Sequence, residues 1–219
     1  MYDIVIVGAG GFGREVYLWA KDSFSEEQYK IKGFLDDNSK ALDDYNVDIG
    51  VIGSIDKYEI KEKDRFIIGI GTLEIKKQIV ESLVHKGANF YTLIHPSAVI
   101  GTNVRIGKGC IICPNCILTN DITIGDFVFI NASSTIGHDT IIGEYTSVNG
   151  KVEITGNVEV GVGCLFGVGA KVIPKRRIGD GATIGAGSVV IKNVPSSVTV
   201  FGNPAKSIWV SRFRRKGQP

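Results

Sequence analysis

From Ile100 to Val190 every sixth residue is apolar, sixteen in succession. The series runs Ile100, Ile106, Ile112, Leu118, Ile124, Ile130, Ile136, Ile142, Val148, Ile154, Val160, Phe166, Val172, Ile178, Ile184 and Val190. An α-helix repeats at 3.6 residues and an amphipathic strand at two, so neither makes this pattern. A fixed six-residue period belongs to a parallel β-helix, with one short strand and one turn per hexad. Three hexads per triangular coil give about five coils.

The residue two before each apolar position should also face inward, at a tighter spot. Fifteen of these sixteen positions, from Ala98 through Cys110, Cys116, Ser134, Thr140 and Cys164 to Ser188, are small, β-branched or thiol-bearing. A narrow interior needs such residues. Arg176 is the misfit and suggests a local bulge. Gly follows the apolar residue at 101, 107, 125, 137, 143, 161, 167, 179 and 185, which suggests corners with unusual backbone angles.

The repeat resembles the left-handed β-helix of the hexapeptide acyltransferases. That resemblance, not the period, supplies the handedness, an exception to right-handed crossovers. It also implies trimers with active sites in the clefts between neighbouring prisms, a closed threefold symmetry.

Bulk properties narrow the rest. A net charge of +2 over 219 residues gives no suggestion of nucleic-acid or membrane binding. No apolar run reaches spanning length. The chain opens directly on a strand, Tyr2 to Val7, so no signal peptide is expected and the location is expected to be cytoplasmic. Cys110, Cys113 and Cys116 form C-x-x-C-x-x-C, a spacing that can hold a metal or cluster. The hexad phase puts Cys110, Cys116 and Cys164 inward as small hydrophobes and Cys113 at a corner, so the thiols should not converge and no metal is expected.

Residues 1–95 lack the hexad. An apolar strand at Tyr2–Val7 precedes Gly8-Ala9-Gly10-Gly11-Phe12-Gly13 and a helix to about Lys21. A second strand, Ile31–Leu35, ends at Asp36 and Asp37. Arg65–Ile70 is a third, Leu73–His85 is helical, and Phe90–Ile94 is a short closing strand. Alternating strands and helices predict a small Rossmann-like parallel sheet. The glycines satisfy G-x-G-x-x-G and an acid ends the second strand, as in dinucleotide sites. About 95 residues make only one mononucleotide-sized half, however, and β-helix follows. A nucleotide attached to a sugar fits the same loop with less protein than NAD. The predicted domains are an α/β Rossmann-like sugar- or nucleotide-binding domain (1–95), a left-handed parallel β-helix (96–208) and a basic tail (209–219).

Gly8 to Glu15, Phe34-Leu35-Asp36-Asp37, Ile68-Gly69-Ile70-Gly71, His95-Pro96-Ser97-Ala98 and Ile136-Gly137-His138-Asp139 occur in one order. In this the chain resembles the sialic acid O-acetyltransferase / nucleotide-aminosugar N-acetyltransferase family. The resemblance covers about residues 2 to 208 and implies acetyl transfer from acetyl-CoA.

Of three histidines, His85 is expected on a helix surface near its C-terminal end, and His95 in a structural connection before Pro96. His138 follows Ile136-Gly137 at a coil corner and should project outward. A three-histidine zinc site of the hexapeptide-type carbonic anhydrases would need two more coil histidines. The family resemblance makes His138 the general base that takes a proton from the attacking amine or hydroxyl, with Asp139 as its orienting acid. It implies sugar-side contacts at Gly10, Gly11, Phe12, Asp36 and Asp37, while Asn131, one hexad plus one before His138, could hold the sugar or serve as a left-handed corner residue. It implies acetyl-CoA contacts at Gly156, Val168 and Ala186, with Ser147 where several relatives have a second histidine. Some relatives carry His where Phe12 stands. Lys175-Arg176-Arg177 could meet CoA phosphates or form a solvated loop. Arg212, Arg214, Arg215 and Lys216 read as a frayed tail. Ile208 and Trp209 should begin a terminal segment packed on the last coil. The expected acceptor is the amine of a nucleotide-linked 4-amino-6-deoxy sugar. The alternatives are O-acetylation of sialic acid or another sugar, and a non-catalytic β-helix scaffold.

Overall fold

A computed structural model describes residues 1–25 and 27–208. Trp209 and the basic tail lie outside the described residues. The N-terminal part is β1 (Tyr2–Val7), α1 (Gly11–Ser23), β2 (Tyr29–Leu35), β3 (Val51–Gly53), β4 (Asp64–Ile68) and α2 (Leu73–His85). The strands form one parallel sheet in the order β3-β2-β1-β4. β1 is central and its Ile4 to Val7 are fully buried, as a strand covered on both faces requires. The α1 stripe Gly13, Val16, Tyr17 and Ala20 packs inward at helical spacing. The edge strand β3 was not foreseen, being only three residues long.

The expected closing strand Phe90–Ile94 divides in two. Phe90 bridges Phe66 on the sheet. β5 (Leu93–Ile94) instead pairs with Ile111–Ile112 as the first rung of the β-helix, so the solenoid starts just before residue 95.

The left-handed parallel β-helix follows. Its strands pair at a constant offset of one coil, Thr135 with Glu153 and Glu153 with Lys171 for example. Three walls result, of five, six and eight strands. The eighth strand, Lys206–Ile208, is the one antiparallel member and closes the end against Thr199–Phe201. The inward apolar residues from Ile112 onward are almost wholly buried, each such side chain being worth about 1.5–3 kcal/mol.

Two corner expectations are corrected. The glycines after the apolar residue do not hold unusual angles; the left-handed residue comes two places later. Asn103, Asn115, Asp121, Phe127, Ser133, Asp139, Tyr145, Lys151 and Asn157 all have φ near +60°. Where glycine stands one place after the apolar residue it saves space: a Cβ on Gly137 would stand 2.5 Å from the Gly156 nitrogen of the next coil. Arg176 makes no bulge, since Glu159 and Arg177 keep register across it. Its guanidinium turns back to donate to the Pro174 carbonyl at 3.1 Å.

The thiols are unpaired and buried, Cys113 included despite its corner position. Cys110 and Cys116 donate to the carbonyls of Gly125 and Asn131 at 3.1 and 3.3 Å. No described helix is long and apolar enough to cross a membrane.

Candidate active site

The corner after Thr135–Ile136 joins the six-stranded wall to the five-stranded wall and carries His138. The Asn120 carbonyl of the coil before it accepts the Asp139 N–H at 3.2 Å, and the His138 carbonyl accepts the Asn157 N–H of the coil after it at 2.8 Å. The main chain is thus clamped on both sides while the imidazole projects outward, 56 % exposed. Asp139 occupies the left-handed corner, φ 57°, a conformation Asp tolerates better than most residues. From there its carboxylate returns to its neighbour, with Oδ2 2.6 Å from His138 Nδ1. A carboxylate accepts only, so in the neutral ring this contact selects the tautomer with its proton on Nδ1 and its lone pair on Nε2.

The imidazole lies against Gly156, one coil later. A Cβ there would stand 2.5 Å from Nε2 and 2.6 Å from Cε1 of His138. Among the described residues no group accepts the Gly156 N–H, so a free backbone donor shares this vertex. One coil earlier, Asn120 and Asn103 donate to Asp121 at 2.7 and 3.0 Å. These bonds hold the Asp121 carboxyl below its ordinary range and keep a negative charge on the same edge. Asp121 was not foreseen, although it stands one coil before Asp139.

The residues expected on the sugar side lie elsewhere. Gly8 turns at φ +94°, and Gly13 packs so tightly on Gly8 that a Cβ would strike its carbonyl. Gly10 and Gly11 at the start of α1 are open, with nothing near a Cβ. The Asp36 carboxylate is occupied: Oδ2 accepts the Ala9 N–H at 2.8 Å and Oδ1 the Asn38 N–H at 2.9 Å. It therefore braces the glycine loop. Asp37 Oδ1 accepts the Ile55 N–H at 3.1 Å, leaving its other oxygen outward.

Phe12 and Asn131 meet in a cavity of about 170 Å³ together with Gly71, Phe129, Ser147, Asn149 and Leu165. It lies between the N-terminal domain and the eight-stranded wall. Asn131 Oδ1 accepts the Ala132 N–H at 2.7 Å, so the carboxamide presents its NH2. Gly71, Ser147 and Leu165 also line a groove of about 920 Å³ that continues past the start of α2 toward Thr183 and Thr199. Asn149 was overlooked, although it stands one coil after Asn131.

His138 lines neither space. The residues expected to meet acetyl-CoA divide too. Gly156 shares the His138 vertex, whereas Val168 and Ala186 stack on the vertex between the eight- and six-stranded walls. Ser147 faces α2 from the eight-stranded wall, 3.4 Å from Lys76 Nζ. His85 lies on the helix surface as expected, its Nδ1 2.7 Å from the Glu81 carbonyl oxygen. His95 contacts Ser97 Oγ at 2.8 Å, as befits a connection.

Residues 3–83 match the PglD N-terminal domain family, and residues 90–120 match the bacterial transferase hexapeptide (six repeats) family. The chain is 31 % identical over 123 residues to the UDP-N-acetylbacillosamine N-acetyltransferase of Bacillus subtilis (strain 168), covering 51 % of each chain. The matches span about half of the length of that relative and 17 % of the serine acetyltransferase of Buchnera aphidicola subsp. Acyrthosiphon pisum (strain APS). The acetyltransferase domain of PglB from Neisseria gonorrhoeae FA1090 superposes with a TM-score of 0.87 at 27 % identity, over 95 % of this chain and all of that one. A second structure of that domain holds acetyl coenzyme A. PerB from Caulobacter crescentus, solved with CoA and GDP-perosamine, gives a TM-score of 0.86 at 27 % identity over 95 % of this chain and 98 % of its own. The resemblance drawn from the sequence is borne out in both halves.

Proposed function

We propose that this hexapeptide-repeat chain with a PglD N-terminal domain is an acetyl-CoA-dependent N-acetyltransferase. Its acceptor is the 4-amine of a nucleotide-linked 4-amino-6-deoxy sugar. The observation that carries this reading is the His138–Asp139 pair at 2.6 Å, with Nε2 beside the free Gly156 N–H. The similarity to PglB and PerB over nearly the whole chain supports the same chemistry.

In the reaction the acceptor nitrogen attacks the thioester carbonyl carbon as His138 Nε2 takes its proton. Asp139 stabilises the imidazolium that forms, without itself taking the proton. The Gly156 N–H donates to the oxyanion of the tetrahedral intermediate. Collapse breaks the C–S bond, and the CoA thiolate leaves and is protonated. Gly10, Gly11, Phe12, Asp37 and Asn131 contact the nucleotide sugar, and Asp36 holds the glycine loop for it. Val168 and Ala186 line the pantetheine groove with Gly156, and Ser147 lies where the two substrates approach. Because the two vertices flank the six-stranded wall, one prism supplies His138 and its neighbour in a homotrimer supplies Val168 and Ala186. Four unpaired thiols suit a reducing compartment, and we place the reaction in the cytoplasm.

The test is release of free thiol from acetyl-CoA with a panel of UDP-, dTDP- and GDP-linked 4-aminosugars, with free sialic acid alongside. Turnover with one aminosugar, reduced on the order of 10²–10⁴-fold in His138→Ala, is expected. Turnover only with sialic acid would assign O-acetylation instead. Acetyl-CoA binding without turnover on any acceptor would favour a scaffold.

A further inference from the structure

The α2 helix buries the stripe Lys76, Val80 and Leu83 at helical spacing, while Ile75 and Val84 remain about half exposed. A lysine thus occupies a core position that an aliphatic residue would fill at less cost. Its side chain is wholly buried, and no carboxylate pairs with it among the described residues. Nζ instead donates to two carbonyls of the β-helix, Phe127 O and Tyr145 O, each at 3.1 Å. It also lies 3.4 Å from Ser147 Oγ and 4.0 Å from the Phe129 ring centroid. Phe127 and Tyr145 are left-handed corners one coil apart, so the amine spans two coils.

What these contacts support is the small cavity. Ser147 and Phe129 line it from the wall, and Phe129 packs on Phe12 at 5.0 Å between centroids. On the other side Gly71 lines it and leads through Thr72 into α2, where the Lys76 N–H bonds the Thr72 carbonyl at 2.8 Å. Lys76 therefore ties one rim of the cavity to the other.

We propose that Lys76 is a positioning residue that holds the Gly71 rim and the Phe129–Ser147 rim of the acceptor cavity in register. It rests on the reading that this cavity takes the acceptor sugar. It touches neither substrate in this role and acts through Gly71, Phe129 and Ser147. Ordinary domain docking needs only apolar packing at this position; an amine reaching two carbonyls adds direction, because its N–H donors fix where α2 sits along the prism.

The test compares the full chain with Lys76→Met, which keeps the stem and removes the donors, and with Ser147→Ala, a smaller change if the first fails to fold. Amide hydrogen exchange is measured over 71–76, 127–131 and 145–149 and over the distant 153–160. The KM for the aminosugar and for acetyl-CoA is measured separately. Expected in Lys76→Met are faster exchange in the three cavity segments alone and an acceptor KM raised about tenfold, with the acetyl-CoA KM within twofold. Ser147→Ala should move the acceptor KM in the same direction by a smaller factor. Unchanged exchange at the cavity, or loosening of every segment alike, overturns the proposal. So does an equal rise of both KM values, or a lowered melting temperature with neither KM changed. If the unmodified protein transfers to no acceptor, the functional reading fails, and the exchange pattern still decides whether Lys76 holds the rims.

Discussion

The Lys76 ammonium makes stability depend on pH in a direction opposite to that of most buried groups here. Burial lowers its pKa from 10.5 to about 7. The titratable neighbours facing it are the Cys110 thiol and Lys77, the first favouring its charge and the second opposing it. Between pH 7 and 10.5 the unfolded chain holds a proton that the folded chain has released, so stability rises with pH across that window. Below pH 7 both states are protonated and the contribution is lost. Integrating from pH 7 to pH 9 gives about 2 kcal/mol per chain. For a chain of this length that is about 4–8 °C in melting temperature.

Lys76→Met removes the titration. It also leaves two carbonyls without their donor, a cost that does not vary with pH. The useful quantity is therefore the change with pH of the difference between the two proteins, from urea or thermal unfolding at pH 7, 8 and 9 at one fixed chain concentration. The subtraction also removes the thiols. Burial pushes Cys110 up to about 12 and raises Cys113, Cys116 and Cys164 as well. Their contribution is present below pH 9 and lost as pH rises through their folded values; up to pH 9 the folded thiols stay protonated in both proteins and it cancels, whereas above that Cys110, which faces Lys76, would differ between them. A difference that stays constant within about 0.5 kcal/mol from pH 7 to pH 9 would refute the reasoning, because the fold would then not be displacing a proton from Lys76.

Two predictions test the His138 vertex. Gly156→Ala should leave the coil folded, since no positive φ is needed there, but its methyl lands 2.5 Å from His138 Nε2 and must displace the ring; kcat should fall about 10²-fold with an unchanged circular dichroism spectrum, and kcat within threefold would mean that the ring position is unimportant. Asp139→Asn keeps a residue that tolerates the left-handed corner, yet its amide can donate to Nδ1 and select the wrong tautomer; kcat should fall on the order of 10³-fold, and a kinetic profile matching the parent protein would remove Asp139 from the mechanism.

The hexad was legible because a six-residue period is a property of the chain alone, and each coil repeats the same burial. The glycines were legible as necessary but not for the right reason. Sequence shows that no side chain is present at Gly137, and only the next coil shows what a Cβ would strike. Lys76 was illegible because its partners lie 51 to 71 residues away and are mostly backbone carbonyls, which any residue supplies. The strands and helices of the N-terminal domain followed their apolar patterns. The three-residue β3 did not, since it is held by pairing with β2 rather than by a periodic face of its own. Asp36 carried the signal of an acid ending a strand, but the structure gives its oxygens to Ala9 and Asn38. Position in a motif and availability to a ligand are separate properties.

The division of the cofactor residues follows from the coil length. Strand pairing at Thr135 and Glu153 makes one coil 18 residues. His138 and Gly156 differ by 18 and share a vertex, and Val168 and Ala186 likewise differ by 18. His138 and Val168 differ by 30, five hexads, which is not a whole number of coils, so no twist of a single rigid prism stacks them. They stand at the two edges of the six-stranded wall. A cofactor touching both lines of residues either crosses the six-stranded wall of one prism or bridges two, and the proposed arrangement is the second, with the edge that bears His138 in one facing the edge that bears Val168 in the next. Repeating that contact head to tail closes after three copies when each rotates by a third of a turn. Under the proposed chemistry, the vertex that carries His138 is completed by a second chain, which brings the other half of the groove to it.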